Sequence, residues 1–200
     1  MRKLVLATHN KDKEKEFQSL LADLGVEVLS LDAFPAIGPI EENADTLEGN
    51  ALLKAETVRR ATGLPSLADD TGLEVHYLMD APGVYSSRYA GKSASYADNV
   101  AKLLKTLRGV PPRRRAARFR CVLAFLTPGA APQTAEGICP GVIVEEPLGE
   151  NGFGYDPVFL PSGYTRTFAQ MDNALKNTLS HRGGAVANML PILREYFKLS

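Results

Sequence analysis

Residues 4–10 have the sequence LVLATHN, a short apolar run that ends in polar residues. Between residues 17 and 24 the apolar side chains recur at helical spacing, with Asn10 placed to cap the helix and Gly25 to end it. A second apolar run follows at residues 26–31. The chain is therefore predicted to open as a β-α-β unit, which favours the α/β class with a mixed sheet.

The rest of the sequence continues this alternation of helices and strands. The predicted elements are a helix from Leu47 to about Val58 that is stopped by Gly63 and Pro65, a strand at 67–75, a helix at 96–107, strands at 119–126 and 138–144, a glycine-rich loop at 149–156, and a terminal helix from Gly184 kinked at Pro191. We predict that the strands at 119–126 and 138–144 form a hairpin in a second lobe. Residues 1–200 are interpreted as one domain with two lobes.

The composition excludes several classes of protein. The 200 residues are 44% hydrophobic, and 23 basic residues balance 23 acidic ones, so the chain is not predicted to be disordered or to bind nucleic acid through its net charge. Cys121 and Cys139 form no CxxC pair, which favours a reduced, cytoplasmic protein. No stretch of about 20 apolar residues occurs, so no membrane association is expected.

The first candidate site is the segment Thr8-His9-Asn10-Lys11-Asp12-Lys13, where the first strand leads into a helix. Helix N-termini present N–H groups that have no partner within the helix, and they attract phosphate. Lys13 would add a positive charge one turn into the helix. The alternative is an ordinary capped helix with solvated lysines.

The second candidate site is the pair Asp69 and Asp70 inside an apolar strand. A buried charge needs a compensating group, and alternation along a strand directs the two side chains to opposite faces. One aspartate is therefore predicted to be functional and the other structural, unless both are solvated in a turn. Together with Glu41, Glu42 or Glu48, they form a candidate Mg²⁺ site.

The third candidate site is the loop GFGYDP at residues 152–157, with Lys176 and the segment SHRG at 180–183 downstream. Glycines beside aromatic rings let a flat ligand approach the backbone and stack on a ring, although a plain turn is the alternative. Other motifs fail: Ser86 stands where a P-loop needs its first glycine, and no dinucleotide fingerprint, HExxH or G-x-S-x-G motif occurs.

Five separated motifs together resemble one family. They are TxNxxK at 8–13, ADDTGL at 68–73, PGVYSSRY at 82–89, FGYD at 153–156 and SHRG at 180–183. Their order and spacing are similar to those of the Ham1/RdgB family of pyrophosphatases that act on non-standard purine nucleoside triphosphates. The resemblance implies a two-lobed α/β fold with a long curved mixed sheet flanked by helices, an active-site cleft between the lobes, a homodimer, and Mg²⁺-dependent hydrolysis of dITP, ITP and XTP to the monophosphate and pyrophosphate.

The resemblance also implies roles for individual residues. Asp70 would be the catalytic base and, with Glu42, a metal ligand, although Glu41 or Glu48 could replace Glu42. The residues implied to bind substrate are Thr8, His9, Asn10, Lys11, Asp12 and Lys13, then Thr71, then Phe153, Gly154, Tyr155, Asp156 and Lys176, and finally His181 and Arg182, which would face the base. The family has acidic residues just before its lysine, but Ala174 and Leu175 stand there in this chain, so a charge partner for Lys176 must come from elsewhere.

Two alternatives remain open at this point. A Maf-type nucleotide pyrophosphatase would share the architecture, but its first loop is rich in serine and ends in paired arginines, unlike residues 8–13. A nucleotide- or RNA-binding module without turnover would use the basic run Arg113-Arg114-Arg115. The release of pyrophosphate in the presence of Mg²⁺ would distinguish an enzyme from a binding module.

Overall fold

A computed structural model describes residues 2–199. Within them the strands are β1 (Lys3–Leu6), β2 (Glu27–Leu29), β3 (Ser66–Val75), β4 (Pro82–Gly83), β5 (Ala116–Leu126), β6 (Gln133–Ile143) and β7 (Phe159–Pro161). The α-helices are α1 (Lys11–Leu20), α2 (Leu47–Thr62), α3 (Tyr96–Thr106), α4 (Asn173–Leu179) and α5 (His181–Phe197). The predicted α/β class is confirmed.

The chain opens with the predicted β-α-β unit. Asn10 caps α1, and its side chain accepts hydrogen bonds from two N–H groups of the first turn. The helix ends at Leu20, earlier than predicted, and a short 3₁₀ turn follows before Gly25 reverses the chain at a φ of 71°. Strand β2 then pairs with β1 in parallel, with Leu4 opposite Val28.

The strands form one mixed sheet in the order β2-β1-β3-β5-β6-β7, and β4 pairs with β3. Strand β1 lies parallel to both β2 and β3, whereas β4 is antiparallel to β3 and β7 is antiparallel to β6. The parallel part follows from the helical crossovers, because parallel neighbours cannot be joined by a tight turn. The prediction of a mixed sheet is therefore confirmed.

The chain divides into two compact units. The first unit comprises Met1–Asp70, Cys121–Gly137 and Arg182–Ser200, and it has apolar clusters on both faces of β1. Leu4 and Leu6 pack in one cluster with residues of α1 and α5, while Val5 and Ala7 pack in another with residues of α2. The alternation of side chains along β1 explains this division, because successive residues point to opposite faces.

The second unit comprises Thr71–Arg120 and Ile138–His181. Its core joins the second half of β3 to α3 and to an aromatic group. Within that group Phe119 lies 4.6 Å from Phe159 and 6.2 Å from Phe168 between ring centroids. The core fixes the position of the loop at 149–156, since Tyr155 is part of it.

The predicted hairpin needs one correction. Strands β5 and β6 are hydrogen-bonded neighbours joined by a short loop, as predicted. However, residues 121–137, which include that loop, belong to the first unit, and only the outer halves of the two strands belong to the second. Strands of eleven residues are long enough to contribute to both units.

The remaining predicted helices and strands are present, but β5 begins three residues and β6 five residues before the predicted starts, at Ala116 and Gln133. Gly63 ends α2 in a left-handed conformation, and α3 begins at the predicted residue. Helix α5 begins at His181, three residues before the predicted start, and it contains Pro191. The two short strands and α4 were not predicted because they span too few residues for periodicity to show. Within residues 2–199, no helix combines the length and the apolar character that crossing a membrane requires.

Candidate active site

The first half of strand β3, which belongs to the first unit, presents the two aspartates to different lysines. Asp69 is 1% exposed, and one of its oxygens, Oδ2, lies 2.8 Å from Lys13 Nζ. Asp70 is 5% exposed, and its Oδ1 lies 2.9 Å from Lys54 Nζ. The two side chains thus have separate partners, as the alternation of a strand predicts.

Lys54 of α2 brings Asp70 and Glu42 to one point. Its Nζ donates to Glu42 Oε1 at 2.5 Å and to Asp70 Oδ1 at 2.9 Å. Asn50 Nδ2 donates to the second oxygen of Asp70, Oδ2, at 3.2 Å. Both oxygens of Asp70 are therefore held by side chains of α2.

Asn50 and Lys54 are not among the site residues predicted from the sequence. Both are buried on the face of α2 that also carries Ala51, Ala55 and Val58. A polar pair four residues apart on an apolar helix face was a usable signal, because such residues lie one turn apart and need a buried partner. The acidic strand at residues 69–70 supplies that partner.

The charges around Lys54 act differently on its two carboxylates. Burial raises the pKa of Asp70, and the nearby Glu42 carboxylate adds to this, against the opposing effect of Lys54. Burial also disfavours the ionised form of Glu42, but the Lys54 ammonium outweighs it and lowers the pKa of Glu42. Lys54 is itself buried, yet Asp70, Asp69 and Glu42 raise its pKa, so it remains protonated. Asp70 is the more basic of the two carboxylates.

A second buried network surrounds Asp69. Arg182 is 1% exposed, and its guanidinium donates to Glu16 and lies 3.5 Å from Asp69 Oδ2. Burial opposes ionisation of Asp69, but Lys13 and Arg182 outweigh it and hold its pKa below the ordinary range. Arg182 thus binds carboxylates of the first unit here, and its implied contact with a base stays a prediction. Glu16, on the buried side of α1, was not identified from the sequence.

The start of α1 is organised by Asn10. Its Oδ1 accepts from Asp12 N at 2.9 Å and from Lys13 N at 3.2 Å, while Thr8 Oγ1 accepts from Asn10 N at 3.2 Å. The predicted cap is therefore confirmed. It uses two of the N–H groups that a phosphate would otherwise approach, so the side chain of Lys13 becomes the main candidate for an anion.

Two residues of the segment 8–13 lie away from the carboxylates of Glu42, Asp69 and Asp70, which we call the acidic cluster. His9 is exposed, and its Nε2 lies 3.0 Å from the carbonyl oxygen of Gly38. Lys11 is exposed and donates to Glu14 at 2.9 Å and to Asp32 at 2.5 Å. Lys13 and Lys11 thus have different surroundings: Lys13 pairs with Asp69, whereas Lys11 pairs with Glu14 and Asp32.

The second unit contains a separate cluster around Asp156. Asp156 is buried, and its Oδ2 accepts from Phe153 N at 2.9 Å and from Lys176 Nζ at 2.5 Å. Lys176 Nζ also lies 4.8 Å from the centroid of the Phe153 ring. Asp156 is thus the charge partner of Lys176, in place of the acidic residues that Ala174 and Leu175 replace.

Glycine is required just before this cluster. Gly152 has a φ of 71°, and a Cβ placed on it would lie 2.0 Å from Asp156 Oδ2. Gly154 has a φ of 62° but open space around the position of a Cβ. Both positions favour glycine for its conformation, while only Gly152 also requires it for close approach.

Three further predicted site residues, Tyr155, His181 and Thr71, belong to the second unit. Tyr155 donates from its hydroxyl to the carbonyl oxygen of Ser86 at 2.8 Å. His181 is buried, and its ring stacks on Phe119 with centroids 4.5 Å apart. Thr71 is partly buried in β3, directly after Asp70. His181 therefore packs in the core of the second unit, and its implied contact with a base stays a prediction.

Two carboxylates of the first unit, those of Glu42 and Asp70, have the donor type that a divalent cation prefers. Glu42 and Asp70 are directed at one cationic group, and Mg²⁺ takes one or two carboxylates together with water and phosphate oxygens. Glu41 and Glu48 are exposed, which favours Glu42 as the second acid. Among residues 2–199, no group of three or more His, Cys, Asp or Glu side chains is arranged as a metal site. A cation held here would therefore need further oxygens from a ligand.

Comparison with known proteins supports the resemblance over nearly the whole chain. The sequence profile of the Ham1 family matches residues 4–192. A dITP/XTP pyrophosphatase of Desulforamulus reducens is 49% identical over 98% of this chain and 97% of its own length, and one of Bacillus subtilis is 42% identical over 96% and 98%. The solved structure of a HAM1 protein from Coxiella burnetii has a TM-score of 0.88 at 42% identity and covers 98% of this chain and 100% of that one. The chain belongs to the Ham1 family.

Proposed function

We propose that this protein is a Mg²⁺-dependent dITP/XTP pyrophosphatase that hydrolyses dITP, ITP and XTP to the monophosphate and pyrophosphate. The observation that carries the proposal is the convergence of Glu42 and Asp70 on Lys54 in a chain of this family. Relatives that match nearly its whole length carry the name dITP/XTP pyrophosphatase. Hydrolysis of dITP, ITP and XTP would remove these non-standard nucleotides from the nucleotide pool of the cell.

The triphosphate is assigned to the segment 8–13. A triphosphate carries about four negative charges, and Lys13 is the cation of this segment that lies beside the acidic cluster. Its Nζ pairs with Asp69 in the structure, so a phosphate oxygen would share or replace that partner. Thr8 and Asn10 shape the turn that presents the lysine. His9, Lys11 and Asp12 complete the segment as predicted contacts.

Glu42 and Asp70 would hold the Mg²⁺ ion. When bound, the ion would neutralise charge on the phosphate oxygens and favour attack by water. Lys54 lies within hydrogen-bond distance of both carboxylates, so its ammonium holds them close together, lowers the pKa of Glu42 and opposes the effect of burial on the pKa of Asp70. Asn50 fixes the orientation of the Asp70 carboxylate through its second oxygen.

Asp70 is assigned as the general base. It accepts a proton from the attacking water, whose oxygen forms a bond to the α-phosphorus while the bond from that phosphorus to the bridging oxygen breaks. Pyrophosphate leaves, and the nucleoside monophosphate remains. The raised pKa of Asp70 suits this role, because a more basic carboxylate takes up a proton more readily.

The nucleoside is assigned to residues of the second unit. Phe153 is partly exposed and carries Lys176 beside its ring, so it offers an aromatic surface next to a positive charge. Tyr155 and Asp156 hold the loop that presents this ring through hydrogen bonds, and Gly154 follows the ring with a φ of 62°. Thr71, His181 and Arg182 remain predicted substrate contacts.

The proposal extends to the state of the protein in the cell. We place it in the cytoplasm as a homodimer without nucleic-acid or membrane partners, as the family resemblance implies. Cys121 and Cys139 are buried and not joined in a disulfide, which suits a reducing compartment.

The test is product analysis with dITP as substrate. The purified protein is incubated with Mg²⁺, and pyrophosphate, orthophosphate and dIMP are measured separately. We expect equal amounts of dIMP and pyrophosphate, and loss of both when the cation is chelated. Tight nucleotide binding without products would favour the non-catalytic module, and stepwise release of orthophosphate would contradict cleavage at the α-phosphorus.

A further inference from the structure

Tyr96, the first residue of α3, lies against the Phe153 ring. Their ring centroids are 5.8 Å apart, and the planes are inclined by 41°. Tyr96 is 41% exposed, so part of its ring is accessible at the surface. The geometry is that of a tilted aromatic pair, the arrangement that rings prefer over face-to-face stacking.

The position of Tyr96 is fixed by the start of its helix. Ser95 and Asp98 form a capping box around it, with hydrogen bonds in both directions. One residue further on, the buried Asn99 donates to the carbonyl oxygen of Ser87 at 3.1 Å and accepts from Ala90 N at 2.7 Å. The first turn of α3 is therefore attached to the motif PGVYSSRY at Ser87 and to Ala90, the residue that follows it.

The same motif holds the loop that carries Phe153. Ser86 accepts from the Tyr155 hydroxyl through its carbonyl oxygen, and its own hydroxyl donates to Gly83 O and accepts from Leu73 N. Adjacent residues, Ser86 and Ser87, thus anchor the two elements that bear the aromatic pair. The motif at 82–89 therefore has a structural role: it binds both the start of α3 and the loop at 149–156, and so it holds Tyr96 near Phe153.

We propose that Tyr96 is a positioning residue for Phe153 and, through that ring, for the purine base of the substrate. The inference rests on the proposed function, which assigns Phe153 to the nucleoside. Phe153 already has Lys176 beside its ring and its N–H bound to Asp156. These contacts fix its backbone and one neighbour of the ring, while Tyr96 limits the remaining rotation of the side chain. Loss of the Tyr96 ring would leave the Phe153 ring in place but with more freedom to rotate.

The test compares Y96A with Y96F and with the control Y164A. Tyr164 belongs to the same unit and is also 41% exposed. Kinetics with dITP, calorimetric binding of dIMP and of pyrophosphate, and thermal unfolding are measured for each variant. For Y96A we expect KM for dITP and Kd for dIMP to rise about threefold to tenfold, while kcat and the Kd for pyrophosphate change less than about twofold. Y96F retains the ring and should match the wild type, as should Y164A.

Three results would overturn the inference. The first is an unchanged KM and an unchanged Kd for dIMP in Y96A. The second is an equal loss of dIMP and pyrophosphate binding, which indicates general damage to the fold. The third is a loss in Y96F as large as that in Y96A, which places the effect in the hydroxyl group. Failure of the wild type to release pyrophosphate would count against the proposed function, while dIMP binding by the wild type and Y96A would still test the role of Tyr96.

Discussion

Lys54 Nζ lies 2.9 Å from Asp70 Oδ1, so the acid assigned as general base is in direct contact with a buried ammonium. The same ammonium binds Glu42, which means that one lysine holds two carboxylates that would otherwise repel each other. A bound divalent cation would take over part of the charge neutralisation that Lys54 supplies to these two carboxylates in the free protein. The cluster therefore combines stability in the free protein with the charge that phosphoryl chemistry needs.

The two aspartates of β3 should respond differently to the loss of charge. We expect Asp70→Asn to lower kcat by about 10²–10⁴-fold with little loss of stability, because the proton acceptor disappears while Lys54 keeps Glu42 as a partner. Asp69→Asn should lower kcat less but destabilise the protein by about 3–5 kcal/mol, because Lys13 and Arg182 would lose a buried counter-charge. Steady-state kinetics and urea unfolding of both variants test this. Wild-type activity in Asp70→Asn would exclude it as the base.

Lys13 and Lys11 form a matched pair for testing the triphosphate site. Lys13→Ala should raise KM for dITP about tenfold or more, because it removes a charged contact to phosphate. Lys11→Ala should raise it much less, since that side chain is exposed and already bound to Glu14 and Asp32. The measurement is KM for dITP in each variant. Equal effects of the two substitutions would show that the partly buried position of Lys13 beside Asp69 has no special role.

The sequence allowed most of the fold to be predicted, because capping residues and glycines act locally. Asn10 begins α1 and Gly63 ends α2 through contacts within a few residues, so the sequence pattern alone locates these helix ends. The partners in the site could not be predicted in this way. Asp156 is 20 residues from Lys176, and Glu16 is 166 residues from Arg182, so only the folded chain brings them together.

The two glycines of the GFG segment should differ in tolerance. Gly152→Ala should raise KM for dITP and destabilise the loop, because the new Cβ would collide with the Asp156 carboxylate that holds Phe153 and Lys176. Gly154→Ala meets open space, so it should cost only the strain of a left-handed residue, about 1–2 kcal/mol. Thermal unfolding and KM are measured for both. A larger loss of thermal stability or a larger rise in KM in Gly154→Ala than in Gly152→Ala would show that the collision with Asp156 is not what makes Gly152 necessary.

The two cysteines should react slowly in the native protein. Burial raises the pKa of the Cys139 thiol to about 11 from its model-compound value of 9.0, so at pH 8 its reactive thiolate is about a hundredfold rarer than in an exposed cysteine. Cys121 is also buried. At pH 8 a thiol reagent should label both cysteines rapidly after denaturation and only slowly in the native protein. The rate at which Cys139 is labelled in the native protein should rise as the pH approaches 11. Rapid labelling of Cys139 in the folded protein at pH 8 would contradict this.

Discrimination among purines is the property that would make the enzyme useful to a cell. Hypoxanthine and xanthine carry a carbonyl at C6, where adenine carries an amine, so a protein donor that pairs with the carbonyl confronts another donor in adenine. An unpaired buried polar group costs about 1–3 kcal/mol, and several such effects combine. Guanine shares the carbonyl and must be rejected at its C2 amine.

We therefore expect kcat/KM for dITP or XTP to exceed that for dATP and dGTP by at least about 10²-fold. The measurement is pyrophosphate release from each nucleotide at matched Mg²⁺, with substrate concentrations below KM so that the ratio of rates gives the ratio of kcat/KM. Phe153→Leu serves as the comparison, since it removes the aromatic surface but leaves the donors in place. It should lower kcat/KM for all four nucleotides while the ratios between them persist. Similar efficiency with dATP and dITP in the native protein would refute the selective role, even if cleavage at the α-phosphorus were established.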